Sequence, residues 1–412
     1  MVTVVGLGFV GLTTALGLAE YGHTVYGVET DPDRLSTIQS GRLPFLEPGL
    51  GDALERHLGG NFIPTAELRE AVERSEIIFY CVGTPCGPDG QADLTALFHA
   101  MERTLDVIAD DTFRVLVVKS TVPPTTTEKR IVPFAAARGK NLGVANNPEF
   151  LREGRCWEDF IHADRIVLGV GDSLTEERLR ALYKPSGVPI YAVSRNTAEF
   201  IKYLSNTVLA CLISYANEMS LAADAIGDVD VAGAFRILHK DRRWQNGSIR
   251  DYFYPGCGYG GYCLPKDTSA FYAAARCAGF ESRILQEVIR TNEGMPEQTA
   301  ARIIRAAGSS PEACIGILGL SFNPNSDDVR DTPSAKIIQA LNEAGYCNIL
   351  GYDPVAMAAF ERQYDLAYRC AAGLEEVLEK ADVLAITTAW REFAGLKTRT
   401  SKPIVDCRYM LA

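Results

Sequence analysis

The sequence predicts an α/β chain built of two doubly wound units joined by a long central helix. Three observations carry that prediction. Short apolar runs alternate with amphipathic stretches over the first half, a pattern that implies a parallel sheet with helices on both faces. One uninterrupted helical pattern, Asn196 to Ile226, occupies the middle. A second, smaller set of apolar runs follows from Cys314 onward. The expected partition is 1–195, 196–308 and 309–412.

Composition bounds the class. At 412 residues the chain can hold two or three domains. It is 47% hydrophobic and 23% charged, ordinary for a water-soluble globular protein. A net charge of -11 argues against a nucleic-acid binder, which would show a basic footprint. The longest apolar runs, such as Cys314 to Leu320, fall far short of the ~20 residues a membrane helix needs, so no membrane partner is expected. A strand beginning at Val2 leaves no room for a signal segment. The 11 cysteines are scattered and include no C-x-x-C pair, which points to reduced thiols in a cytoplasm. The five histidines lie far apart without ligand spacing, so no metal is expected.

The first element is a strand at Val2 to Val5. Gly6-Leu7-Gly8-Phe9-Val10-Gly11 follows, then a helical pattern through Tyr21 and a second strand, His23 to Val28, ending in Glu29. Strand, G-x-G-x-x-G, helix, strand and an acid 18 residues beyond Gly11 make a dinucleotide fingerprint. The glycines allow a tight turn, backbone approach to a pyrophosphate and close helix–strand packing, and the helix N-terminus faces the phosphates. Glu29 would accept hydrogen bonds from the adenosine ribose. A carboxylate there repels a 2′-phosphate and favours NAD over NADP, with Arg34 close by. Further strands at Ile77 to Val82, Arg114 to Lys119, Leu142 to Ala145 and Arg165 to Leu168 extend a Rossmann-like sheet. Ligands of such sheets sit beyond the carboxyl ends of the strands. The residues there are Gly83-Thr84-Pro85, Ser120-Thr121-Val122-Pro123-Pro124 and Asn147 to Gly154.

Asn196 to Ile226 would run about 45 Å as a helix, opened by Asn196 and Glu199 in a capping-box pattern. Phe200, Ile201, Leu204, Val208, Leu209, Leu212 and Ile213 form a stripe more apolar than one domain face needs, so a homodimer is expected. Lys202 and Asn206, four apart, share a face and can be aimed at a ligand. From Val229 to Tyr254 the chain is locally basic, and one or two of Arg236, Lys240, Arg242, Arg243 and Arg250 could meet a phosphate.

Pro255 to Asp267 reads Pro-Gly-Cys-Gly-Tyr-Gly-Gly-Tyr-Cys-Leu-Pro-Lys-Asp. Its four glycines suit a loop whose backbone comes close to something. Leu264-Pro265-Lys266-Asp267 then opens a helix expected over Thr268 to Ala278, with Pro265 in its first turn. A thiol just before a helix N-terminus, with Lys266 nearby, has its thiolate favoured by the dipole and the cation. Cys263 is therefore the candidate nucleophile.

The last unit has strands at Cys314 to Leu320, Tyr346 to Gly351, Val383 to Thr387 and Pro403 to Asp406, with a helix at Pro333 to Glu343. Tyr352-Asp353-Pro354 echoes Glu29-Thr30-Asp31-Pro32. In place of G-x-G-x-x-G stands Phe322 to Arg330, so this second Rossmann-like unit is expected to bind something other than the dinucleotide.

Taken in order, these segments resemble the UDP-glucose/GDP-mannose dehydrogenase family. The resemblance rests on Gly6-x-Gly8-x-x-Gly11, Gly83-Thr84-Pro85, Lys119-Ser120-Thr121-Val122-Pro123, Asn147 to Gly154, Lys202-x-x-x-Asn206, the cysteine loop and Phe322 to Arg330. It implies a four-electron oxidation of a nucleotide sugar at C6 with NAD, through a thiohemiacetal and a thioester on Cys263. Lys202 and Asn206 would stabilise the oxyanions; Thr121, Asp267 and Glu149 would orient and activate water. Gly6, Gly8, Phe9, Val10, Gly11, Glu29, Arg34, Gly83, Thr84, Thr121, Glu153 and Arg330 are implied for the cofactor. For the substrate the resemblance implies Glu149, Phe150, Leu151, Arg152, Glu153, Lys202, Asn206, Tyr254, Gly258, Tyr259, Gly260, Lys266 and Phe322. Family members also carry an Arg that reaches the partner subunit's site, and Arg242 and Arg250 are both candidates for it. Lys266-Asp267 and His162 to Val167 resemble the UDP-glucose branch, while Pro255-Gly256 resembles the GDP-mannose branch; a UDP-N-acetylhexosamine is a further alternative. A two-electron hydroxyacid dehydrogenase would share the layout but need no thiol. A non-catalytic NAD or nucleotide-sugar binding protein would have lost the cysteine, Lys or Asn.

Overall fold

The computed structural model describes residues 1–87, 89–241, 252–308 and 310–411. They form two compact units, Met1–Leu204 and Ser205–Ala412. The fold is α/β, with a Rossmann-like sheet in each unit and a 32-residue helix, Arg195–Ile226, running through the boundary.

The first unit holds an eight-stranded sheet in the order β3-β2-β1-β4-β5-β6-β7-β8. Its strands are β1 (Val2–Val5), β2 (Val25–Val28), β3 (Phe62–Thr65), β4 (Ile77–Tyr80), β5 (Arg114–Val118), β6 (Leu142–Asn146), β7 (Ile166–Gly169) and β8 (Ile190–Val193). Alternate side chains feed two cores, one on each face. Val115 and Val117 join Leu12, Leu16 and Phe160, while Leu116 and Val118 join Met101, Leu105 and Ile131. That two-residue period is why the strands read as continuous apolar runs.

Two features depart from the expected parallel sheet. β6 meets β7 antiparallel, through Asn146 and Gly169, so β7 and β8 form a reversed parallel pair. The outermost strands, β3 and β8, have no counterpart in the sequence reading. β3 contains Pro64, tolerated at a sheet edge, and Tyr191 of β8 is 56% exposed. Half-exposed edges lack the apolar run that marks a central strand.

The second unit carries a five-stranded parallel sheet, β11-β10-β9-β12-β13. Its strands are β9 (Ile315–Leu318), β10 (Ile349–Tyr352), β11 (Arg369–Cys370), β12 (Val383–Ile386) and β13 (Ile404–Asp406). Ile315, Ile317, Val383 and Ala385 face one core and Leu318, Leu384 and Ile386 the other. Helices Cys263–Cys277 and Arg283–Ala306 precede this sheet.

The long helix starts one residue earlier than expected, and its cap differs. Ser194 Oγ accepts from Thr197 N–H at 3.2 Å, which makes Ser194 the cap in place of Asn196. Glu199 is thereby released from a capping box and accepts from Thr127 N–H at 2.8 Å instead. The cysteine helix begins at Cys263, several residues before Thr268, because Pro265 is accommodated within its first turn. Among the described residues no helix is long and apolar enough to cross a membrane.

Candidate active site

In the first unit, β1 and β4 lie side by side where the strand order reverses, the place where such sheets take ligands. Gly6 has φ 89, and a Cβ on Gly11 would fall 1.7 Å from Gly6 O. The helix Phe9–Glu20 can therefore start hard against the strand end only without a side chain at 11. Gly8 differs. A Cβ there would meet nothing within 4 Å, and Gly8 caps the helix with no side-chain hydrogen bond. The helix start thus offers backbone donors beside an open cradle, which fits a dinucleotide pyrophosphate. Val10 belongs to this same first turn, and the Phe9 ring stacks on Phe45 at 3.9 Å.

Glu29 stands at the end of β2, 4% exposed. Its carboxylate accepts from Leu7, Thr30 and Asp31 N–H and from Arg34 Nη1, at 2.8–3.2 Å. Four donors fill its lone-pair directions, so Glu29 ties the glycine turn to β2 and leaves Arg34, 40% exposed, as the more solvent-facing partner.

The loops after β4, β5 and β6 are joined. Thr84 Oγ1 donates to Thr121 O at 2.8 Å, and Ser120 Oγ donates to Val82 O at 2.6 Å; Gly83 is exposed beside them. Glu149, 7% exposed, pairs with Lys202 Nζ at 2.8 Å and accepts from Leu151 N–H at 2.7 Å. Burial opposes the Glu149 charge, but the Lys202 ammonium, the Leu151 amide and Lys119 outweigh it and hold the carboxyl below its ordinary value. Phe150 lies beneath two cations, Arg165 at 4.3 Å and Lys202 at 5.7 Å. The Arg152 fork is engaged by Asp159, with contacts of 3.0 and 2.6 Å, and Glu153 is half-buried next to it.

In the second unit, Cys263 is the first residue of its helix and half-buried. The same helix start carries a short polar chain. Lys266 Nζ donates to Asp267 Oδ1 at 2.5 Å, and Asn206 Nδ2 donates to Asp267 Oδ2 at 2.6 Å, with Asp267 1% exposed. Burial works against the Lys266 ammonium, yet Asp267 and Cys263 outweigh it and raise its pKa. The lysine therefore stays a cation within electrostatic reach of Cys263.

The four glycines of the loop are used by this unit itself. A Cβ would lie 2.9 Å from Asn292 Oδ1 at Gly258, 2.2 Å from Asp331 O at Gly260, 2.6 Å from the Phe322 ring at Gly261 and 3.2 Å from Arg408 at Gly256. Gly258 and Gly261 also take φ 100 and 75, a region that favours glycine. Phe322 and Arg330 thus join the cysteine loop: the Phe322 ring covers Gly261, and Arg330 lies 4.5 Å over the Tyr262 ring while gripping Asp328. Tyr259 is buried in the loop. Tyr254 lies in an aromatic cluster with Phe235 and Tyr409. Arg242 and Arg250 lie outside the described residues.

Several side chains near these groups carried no assigned role in the sequence reading. Lys119, 5% exposed at the end of β5, donates to Asn147 Oδ1 at 2.9 Å; Tyr183 O–H donates to the same oxygen at 2.6 Å. Burial lowers the Lys119 pKa despite Cys81 and Glu149 nearby. Its signal was a lysine ending a run of apolar residues, Val115-Leu116-Val117-Val118. The echo of Glu29 at Asp353 is structural as well. Asp353, 1% exposed, accepts from Leu320 and Ser321 N–H and from Trp390 Nε1, at 2.8–3.0 Å, and is consumed inside the fold.

Comparison with known proteins gives the family. Models of the UDP-glucose/GDP-mannose dehydrogenase family match the NAD binding domain over residues 1–186, the central domain over 196–294 and the UDP binding domain over 316–412. A UDP-glucose 6-dehydrogenase of Haloferax volcanii, AglM, is 36% identical over 406 residues, covering 96% of this chain and 92% of its own length. One from Pseudomonas aeruginosa is 36% identical over 408 residues, covering 95% of this chain and 88% of its own. A solved UDP-glucose dehydrogenase of Pyrobaculum islandicum superposes with a TM-score of 0.93 at 38% identity, over 99% of this chain and 94% of that one. Motif order, fold and full-length similarity coincide, and the chain belongs to the UDP-glucose/GDP-mannose dehydrogenase family.

Proposed function

We propose that this chain is an NAD-dependent UDP-glucose 6-dehydrogenase that oxidises the C6 alcohol to the carboxylate, with Cys263 as covalent nucleophile. The observation that carries the covalent step is the half-buried thiol at the start of the helix that also carries Lys266 and Asp267, which are linked to each other and to Asn206. NAD, when bound, accepts the hydride in each of two oxidations. The alcohol loses a proton and a hydride to become an aldehyde. An aldehyde has no second hydride to give until a nucleophile adds, so the Cys263 thiolate adds to it and forms a thiohemiacetal. Loss of the second hydride leaves a thioester, and water displaces the thiolate to give the acid. One alcohol and one water thus yield one carboxylate, two NADH and three protons.

The roles we assign follow each group's charge and contacts. Lys202 and Asn206, one turn apart on their helix, stabilise the oxyanions. Glu149, held ionised, and Asp267, with Thr121, orient and activate water. The second unit contributes the nucleotide-binding part, in line with the domain match over 316–412. We divide the chain into a NAD-binding part at 1–195, a central part at 196–308 and a C-terminal part at 309–412, in a homodimer in the cytoplasm. Support for the dimer comes from the long helix, whose apolar Phe200, Leu204, Val208, Tyr215 and Met219 are each at least 37% exposed and recur at helical spacing.

Cys263→Ser tests the covalent step. The variant should bind NAD and UDP-glucose as the parent does and lose formation of the uronate by several orders of magnitude. Uronate production at the parental rate would contradict the thioester route.

A further inference from the structure

Pro255 to Gly261 is buried along its whole length and forms neither helix nor strand. Backbone polar groups in such a segment need partners that regular structure does not supply. Two helices provide them through asparagine carboxamides. Asn217, on Arg195–Ile226 and 0% exposed, accepts from Gly256 N–H at 2.7 Å. Asn292, on Arg283–Ala306 and 9% exposed, accepts from Tyr259 N–H at 2.7 Å and donates to Tyr259 O at 3.0 Å. The second pair is what a neighbouring strand would offer, delivered by one side chain. Gly258 stands between the two anchors, and any Cβ there would press on Asn292.

The chemistry of Asn217 sharpens the point. Its Nδ2 is buried with no hydrogen-bond partner among the described residues. A side chain kept only for packing would do better as an aliphatic of similar size, because a buried, unpaired amide is a liability. What the position uses is the acceptor oxygen on Gly256.

We propose that Asn217 and Asn292 are positioning residues for Cys263, fixing the backbone at Gly256 and Tyr259 so that the thiol four residues on is held ready to add to the aldehyde. The inference rests on the reading of Cys263 as nucleophile, and its test is chosen to fail separately from that reading. Peptide-resolved alkylation of Cys263 by iodoacetamide, followed against pH in the full chain, needs no sugar substrate. In Asn217→Leu and Asn292→Leu the alkylation midpoint should move from the parental pH. With UDP-glucose, kcat should fall roughly 10- to 100-fold, the scale of a misplaced reacting group, with KM for NAD unchanged. Asn217→Asp retains the acceptor and should recover most of the loss. Leucine variants that lower Tm but keep the parental kcat and alkylation profile would overturn the proposal. If the leucine variants do not fold, hydrogen exchange on the parent decides. Amides of Gly256 and Tyr259 should be strongly protected, and exchange at the rate of an exposed loop would overturn the clamp.

Discussion

Glu199 lies three residues before Lys202 on the long helix, and its charge state is linked to the loop that carries Thr121. Its Oε1 accepts from Thr127 N–H, while Oε2 is buried without a partner among the described residues. Burial drives the carboxyl up to about 7, against the opposing pull of the Thr125–Thr127 donors. That loop also holds Thr125 at φ 76, a backbone state that costs a β-branched residue about 1–3 kcal/mol and needs outside support. Since the folded pKa lies above the unfolded value of 4.5, the folded state holds the proton more tightly. Stability is then highest below the unfolded pKa and declines as pH rises toward 7, by on the order of 3 kcal/mol in all. Glu199→Gln keeps an acceptor for Thr127 without the charge. Thermal melts should show it more stable than the parent at pH 8, with the gap closing toward pH 4.5. A constant gap across that range would mean that Glu199 does not titrate there.

At the scale of elements, the glycine turn separates two reasons for lacking a side chain. Gly11→Ala sets a methyl against Gly6 O and should cost about 1–3 kcal/mol of stability as overpacking. Gly8→Ala meets empty space, so Tm should hold while NAD affinity falls about tenfold or more, a loss of about 1.4 kcal/mol. Calorimetric titration with NAD and melts of both variants check this; a parental NAD affinity for Gly8→Ala would remove the pyrophosphate from that cradle. The fingerprint was legible because each of its parts is local: β1, the turn and Glu29 fall within one βαβ unit. Pro333–Glu343 was legible to the residue for the same reason, with Pro at its first position. β3 and β8 were not, since an edge strand needs only one buried face. The cap at Ser194 was hidden because Asn196 and Glu199 offer a plausible box until Thr127 is brought up to Glu199 from 72 residues away. Asn217 and Asn292 were silent for a related reason. An asparagine on a helix gains meaning only when a remote loop lies against it.

For the whole molecule, the order of the motifs carried the resemblance to the family, and the fold adds what the glycine-rich loop lies against. Its glycines accommodate Asn292, Asp331, Phe322 and Arg408 of the same unit, the close approach that the four glycines announced without naming its partners. The exposed apolar face of the long helix makes a further molecular-scale prediction. Sedimentation at micromolar concentration should give a dimer, and Leu204→Glu with Val208→Glu should shift it toward monomer; a parental monomer would contradict the proposed assembly. The central claim is the four-electron oxidation, and counting NADH against UDP-glucose consumed in a closed assay tests it most directly. Two NADH per sugar, with the uronate as product, is the predicted result; one NADH per sugar, with oxidation stopping at the carbonyl, would contradict it.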